Sequence, residues 1–250
     1  MRHLWVGIIA GALLAGCGGD GKDSSSSDDA RAIIEQAAAA LRDAEGMHVT
    51  GSETDAEGTT RAIADIDADG DMAVTLTLNG DRTSLRQVGD DTYLRAGKSF
   101  WADIGGEDLG LLVDRWIHIP SRLGTELTAD LAQLRPRGLA ECLLAGGTFV
   151  IRGHEQLDGQ PVTVIEDKGD KPGGQPGLLY VAARGRPWLV RLRATGPPRR
   201  GKAPEICGHD EDVPTTSSDL RSSRFEQPVT ARAPAGAITL PSDDSQLSDA

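Results

Sequence analysis

From Gly46 onward the chain places apolar side chains at every second position and cuts each run with a turn-forming pair, a period that restricts it to antiparallel strands. Residues 48–54 read as a first strand, followed by a turn at Gly58. Residues 61–68 set Ala62, Ala64, Ile66 and Ala68 against more polar neighbours. Asp69-Gly70 is a hairpin signal, after which Met72, Val74, Leu76 and Leu78 share one face. Asn79-Gly80 is a second such signal, leading into residues 83–88, and Gly89-Asp90-Asp91 turns again into residues 92–96. A further strand is expected over 99–104, beyond Ala96-Gly97-Lys98.

Helical spacing flanks and interrupts this meander. Ile33, Ile34, Ala37, Ala38, Leu41 and Ala44 recur at helical intervals after Ser27, Asp28 or Asp29 as N-cap, with Gly46 as the expected C-cap. In the middle of the chain, 107–113 reads as a helical turn and 115–120 as extended. Two short helices are expected over 123–134 and 136–145, Pro136 being acceptable in a first helical turn. Strands resume over 148–154, 161–167, 178–183 and 188–194, with hairpins at Asp158-Gly159 and Arg184-Gly185, and a last strand over 229–233. Val162 and Val164, Leu179 and Val181, and Trp188, Val190 and Leu192 repeat the apolar alternation. An antiparallel sheet with one apolar face must cover it, and the few helices are the only candidates. The expected class is α+β.

The N-terminus carries a different signal. Arg2 and His3 precede an apolar stretch from Leu4 to Leu14 of eleven residues, where a bilayer span needs roughly 20. Residues 1–16 therefore read as a signal peptide. Leu14-Ala15-Gly16-Cys17 resembles the lipobox of bacterial lipoproteins. That resemblance implies a diacylglyceryl group on Cys17, cleavage before it, and anchorage to the outer face of the cell membrane. Residues 17–28 are rich in Gly, Ser and Asp, which cannot build a core, and read as a flexible tether. Residues 29–241 are expected to form one domain and 242–250 a polar, acidic tail.

Charge and cysteine usage narrow the function classes. A formal charge of −12 argues against a nucleic-acid partner, which requires a basic face. With Cys17 assigned to lipid, Cys142 and Cys207 remain; in an oxidising compartment they read as a disulfide, or as two separate buried thiols. No cofactor or metal is expected. Asp65, Asp67, Asp69, Gly70 and Asp71 imitate the opening of an EF-hand loop, but Leu76 stands where a bidentate carboxylate belongs. Gly97-Lys98-Ser99 has the tail of a phosphate loop without its leading Gly. His48, His118, His154 and His209 are dispersed, and neither HExxH nor GxSxG occurs. The chain thus reads as a non-enzyme with no catalytic residues, unless scattered groups converge in space.

A family resemblance rests on several short stretches taken together. These are Gly-Met-His-Val-Thr-Gly (46–51), Asp-Asp-Thr-Tyr-Leu-Arg-Ala (90–96), Trp101 and Arg-Trp-Ile-His-Ile-Pro (115–120). Leu-Tyr-Val-Ala (179–182) and the closing Phe-Glu-Gln-Pro-Val-Thr-Ala-Arg-Ala-Pro (225–234) complete the set. With the lipobox and tether they resemble actinobacterial lipoproteins of the LppX/LprG type, with a LolA/LolB-like fold. Scarce Lys beside abundant Arg, Ala and Gly agrees with a GC-rich source of that kind. The resemblance implies a half-open barrel, one strongly curved antiparallel sheet wrapped around a few helices, and an apolar cavity that carries lipids in the cell envelope. Its expected lining is Val74, Leu76, Leu78, Trp101, Trp116, Leu127, Leu131, Val162, Val164, Leu179, Val181 and Val190. The tryptophans also fit an ordinary core. The expected cavity measures roughly 300–1,000 Å³, lies between sheet and helices, and opens near the turns of the meander. The alternative is a surface-tethered interaction or sensor module of the same fold, with a protein partner and no carried ligand.

Overall fold

Residues 217–223, Ser-Ser-Asp-Leu-Arg-Ser-Ser, join two meanders into one sheet. The computed structural model describes residues 23–55, 58–104, 107–119, 124, 128, 131, 134–202, 207 and 217–239. Helix α1 (Asp23–Arg42) leads into β1 (Gly46–Thr54), β2 (Thr59–Asp67), β3 (Met72–Leu78), β4 (Asp81–Val88) and β5 (Asp91–Ala96). Helix α2 (Lys98–Ile104), a 3-10 turn (Glu107–Leu112) and the short β6 (Ile117–Ile119) follow. Helix α3 (Pro136–Ala145) then precedes β7 (Phe149–Leu157), β8 (Gln160–Asp167), β9 (Gly177–Ala182) and β10 (Leu189–Ala194). The last strands are β11 (Ser217–Ser223) and β12 (Ile238–Thr239).

The sheet order is β12-β6-β5-β4-β3-β2-β1-β11-β10-β9-β8-β7. Every pairing is antiparallel except β12 on β6, which is parallel. The two ends of the sheet do not pair with each other, so the barrel stays half open. Asn79 (φ 52°) with Gly80 (φ 94°), and Asp158 (φ 51°) with Gly159 (φ 82°), are two-residue turns with both central residues left-handed. That geometry matches the twist of the strands they join.

The helices cover one face. Ala30, Ile34, Ala37, Ala38 and Leu41 form a completely buried stripe of α1. They share a core with Ala140 and Leu143 of α3, and with Met47, Val49, Ala64, Ile66, Met72, Val74, Phe149, Ile165, Leu179, Val181 and Leu189 of the sheet. Small alanines on the buried stripe allow close helix packing, and Arg31 locks it by donating to the Leu144 carbonyl (3.0 Å). The same guanidinium lies 5.5 Å from the centre of the Phe149 ring. Asp167 holds the loops beside α3 by accepting from the N–H groups of Gly147 (3.1 Å) and Gly169 (2.8 Å). Burial raises its pKa above the usual carboxylate value in spite of those donors.

The cysteines 142 and 207 form a disulfide, with Cα atoms 5.3 Å apart. It fastens α3 to the segment leading toward β11.

Several expectations change. Helix α1 begins at Asp23, so the last residues assigned to the tether are helical, and from Ser26 onward Ala30 is the first fully buried residue. Gly46 opens β1 instead of capping the helix; a Cβ there would meet the Gln227 carbonyl at 2.6 Å. Residues 98–104 are helical, because the pairing edge of β5 is taken by β6. The helix folds Trp101 back, where its indole N–H donates to the Ala96 carbonyl (3.2 Å). Residues 229–233 are not a strand; they run as a strap tied by Val229 N–H to Asp67 (3.1 Å) and by Arg86 to the Arg232 carbonyl (3.0 Å). The expected signal peptide, Cys17, most of the expected 123–134 helix with Leu127, and the expected 242–250 tail lie outside the described residues.

Candidate functional site

Strand register sorts the helix-facing side of β1–β4 into cross-strand rows. The first is Met47–Ile66–Met72 and the second Val49–Ala64–Val74–Leu85, both buried in the core. The third row is Leu220–Gly51–Ala62–Leu76–Thr83, and all five residues keep accessible surface. Leu220 leans over Gly51, where an added Cβ would meet its Cδ2 at 2.4 Å. The fourth row is Ser218–Glu53–Thr60–Leu78. Ser218, Glu53 and Thr60 are buried at 2 %, 6 % and 3 % exposure, and Leu78 is half-buried.

This side therefore passes from a sealed core to a face carrying accessible leucines, and ends at a buried polar row. Among the described residues, neither Thr60 Oγ1 nor Ser218 Oγ has a hydrogen-bond partner. A buried hydroxyl left unpaired costs about 1–3 kcal/mol, so an apolar residue of similar shape would be cheaper at either position.

The expected lining residues divide between the two faces. Val74, Leu131, Leu179 and Val181 lie in the helix-facing core, with Leu76 packed against it and Leu78 in the fourth row. Trp101 covers the same side at β5–β6, in a second cluster with Leu94, Ala96, Ile117 and Ile119. Val162 and Val164 are a correction: with Tyr180 they form a separate cluster on the opposite face. Val164 pairs with Tyr180 while the next residue, Ile165, pairs with core-facing Leu179. Arg191 lies over the Tyr180 ring (5.2 Å) and grips Asp219 through Nε (2.8 Å) and a second, shorter contact. The hydrogen bond to Asp219 holds the Arg191 pKa above its usual value. Trp116 also departs from the group, sitting under the Arg86 guanidinium at 4.8 Å. Val190 touches both clusters because the β9–β10 register shifts between Leu189 and Arg191.

A cavity of about 660 Å³ lies outside the expected location. Its lining includes Thr50 and Arg221, which pair directly and alternate with the core-facing Val49 and Leu220, so it abuts the opposite face. Leu157, Asp158, Trp188, Val190 and Phe225 complete much of the wall. Trp188 stacks on Phe225 at 4.4 Å and beneath Arg186 at 4.8 Å, and Arg221 bonds Asp158 at 2.6 Å.

The carboxylates of the EF-hand-like stretch point to separate partners. Asp65 meets the His48 ring (2.7 Å), Asp67 accepts from Val229, and Asp71 accepts from Gly89 (2.8 Å). Among the described residues, no three metal-ligating side chains converge.

No protein-family model matches the sequence, and no curated protein matches it. Solved structures do. The lipoprotein LppX of Mycobacterium tuberculosis superposes with a TM-score of 0.53 at 18 % identity, covering 83 % of this chain and 100 % of that one. LprF of Mycobacterium bovis superposes with a TM-score of 0.53 at 16 % identity, covering 84 % and 99 %. The chain has the half-open barrel fold of these mycobacterial lipoproteins, the fold that the LppX/LprG-type resemblance implies.

Proposed function

We propose that this chain is an exported lipoprotein, held on the outer face of the cell membrane by acyl chains on Cys17, which binds or carries a lipid or other lipophilic ligand. The ligand lies on the helix-facing side of the half-open barrel, against Leu76, Leu78 and Leu220, with Val74 and Val181 as floor and Trp101 at the β5–β6 flank. The observation that carries this reading is the change along β1–β3: the face packed solid at Met47, Ile66 and Met72 retains accessible leucines two rows further on. Apolar surface left open is worth roughly 25 cal/mol per Å² to any alkyl chain that covers it. The role is binding, without a catalytic step. A second reading, a tethered interaction module, draws on the 660 Å³ groove and its mixed polar and aromatic wall.

The test is fluorescence titration of the mature chain from Gly18 onward with N-phenyl-1-naphthylamine, a neutral probe that brightens in apolar surroundings. Saturable binding is expected, and Leu76→Arg should weaken it on the order of tenfold, about 1.4 kcal/mol. Unchanged binding in Leu76→Arg, together with loss in Arg221→Glu, would instead place the ligand in the groove on the opposite face.

A further inference from the structure

The fourth row has a chemistry that an alkyl-binding face does not need. Glu53 stands between Ser218 and Thr60 as direct cross-strand neighbours, and Thr60 in turn neighbours Leu78. Directly opposed residues place their Cβ atoms about 4.5–5.5 Å apart, so the three polar groups form one continuous patch. Glu53 has an interaction partner of its own within the protein. The unmet capacity belongs to the flanking hydroxyls, whose oxygens are buried and unpaired. Each hydroxyl offers one donor and two acceptor positions and carries no charge.

We propose that the Ser218–Glu53–Thr60 row selects lipophilic ligands bearing a neutral hydroxyl group, such as long-chain alcohols or hydroxylated acyl chains. The inference rests on the lipophilic site proposed above and adds its polar specificity. A ligand hydroxyl on this row pairs with Thr60 or with Ser218, accepting from its O–H or donating to its oxygen, while its chain runs over Leu78 and Leu76. An anionic headgroup is disfavoured, because a row made of Ser218, Glu53, Thr60 and Leu78 is closed to water and offers it no cation. A bare alkyl chain leaves both hydroxyls unpaired.

Displacement of N-phenyl-1-naphthylamine from the mature chain by dodecanol and by dodecyl phosphate tests this. Dodecanol is expected to compete on the order of tenfold better, the effect of one or two neutral hydrogen bonds. The Thr60→Val/Ser218→Ala variant, which removes the hydroxyls with little change of shape, should erase that preference and unfold at no lower temperature than the parent. Equal competition by the two compounds in the parent chain overturns the proposal while leaving the lipophilic site intact. So does a preference that survives in the variant, or a variant whose melting temperature falls. Failure of the neutral N-phenyl-1-naphthylamine probe to bind the parent chain at all removes the site itself, and the proposal with it.

Discussion

Cys17→Ala is expected to abolish incorporation of radiolabelled fatty acid and to leave the precursor unprocessed. On the proposed reading the effect is all or none, because the thiol is the acceptor that the lipobox-like Leu14-Ala15-Gly16-Cys17 would present. No other cysteine stands in the first 28 residues. The apolar stretch before it is eleven residues long, against roughly 20 for a stable span. Each buried methylene of an acyl chain contributes about 0.8 kcal/mol, and two chains hold a protein where one gives only reversible contact. The variant should therefore leave the acylated membrane fraction entirely. Persistent labelling of Cys17→Ala, with wild-type membrane association, would contradict the assignment of Cys17 as anchor.

The second large effect is expected from the disulfide. Cys142 and Cys207 are separated by 65 positions, so their bond removes much of the freedom of the unfolded chain. On the chain-entropy account a loop of that size is worth about 4 kcal/mol, although calorimetric analyses assign part of such stabilisation to enthalpy. Cys142→Ser/Cys207→Ser should therefore lower the unfolding free energy by about that amount. The melting temperature of a domain of this size would fall by roughly 10 °C. Urea unfolding of parent and double variant checks it; a difference below about 1 kcal/mol would mean that the bridge constrains little.

How far the fold was legible depended on where its information lay. The meander β2–β5 follows from alternation and from Asn79-Gly80, local signals that require no knowledge of neighbours. Strand β11 did not follow, because Leu220 is its only large apolar residue; its formation depends on the unpaired backbone of β1 and β10 on either side. Helix α2 does not follow from the sequence because a short apolar run fits either period, and the occupied edge of β5 decides the outcome.

The site was legible in part, for a related reason. Alternation along β8 is visible, but Val162, Val164 and Ile165 are all buried, so sequence alone does not say which phase meets the helices. The irregularity between Leu189 and Arg191 then moves Val190 to a position bordering both faces. Glu53, Thr60 and Ser218 come from three strands, and only their register brings them into one row. No spacing in the chain announces that row.

The helix-facing side of this half-open barrel is proposed to hold a lipophilic ligand. Native mass spectrometry tests it most directly, using the mature chain from Gly18 onward, exported by its own host through a signal peptide without a lipobox. The expected result is a protein ion carrying extra mass that is released on denaturation and extracts into organic solvent, and that is depleted in Leu76→Arg. A parent chain that emerges only at its bare mass, from gentle preparations that preserve known lipid complexes, would contradict it.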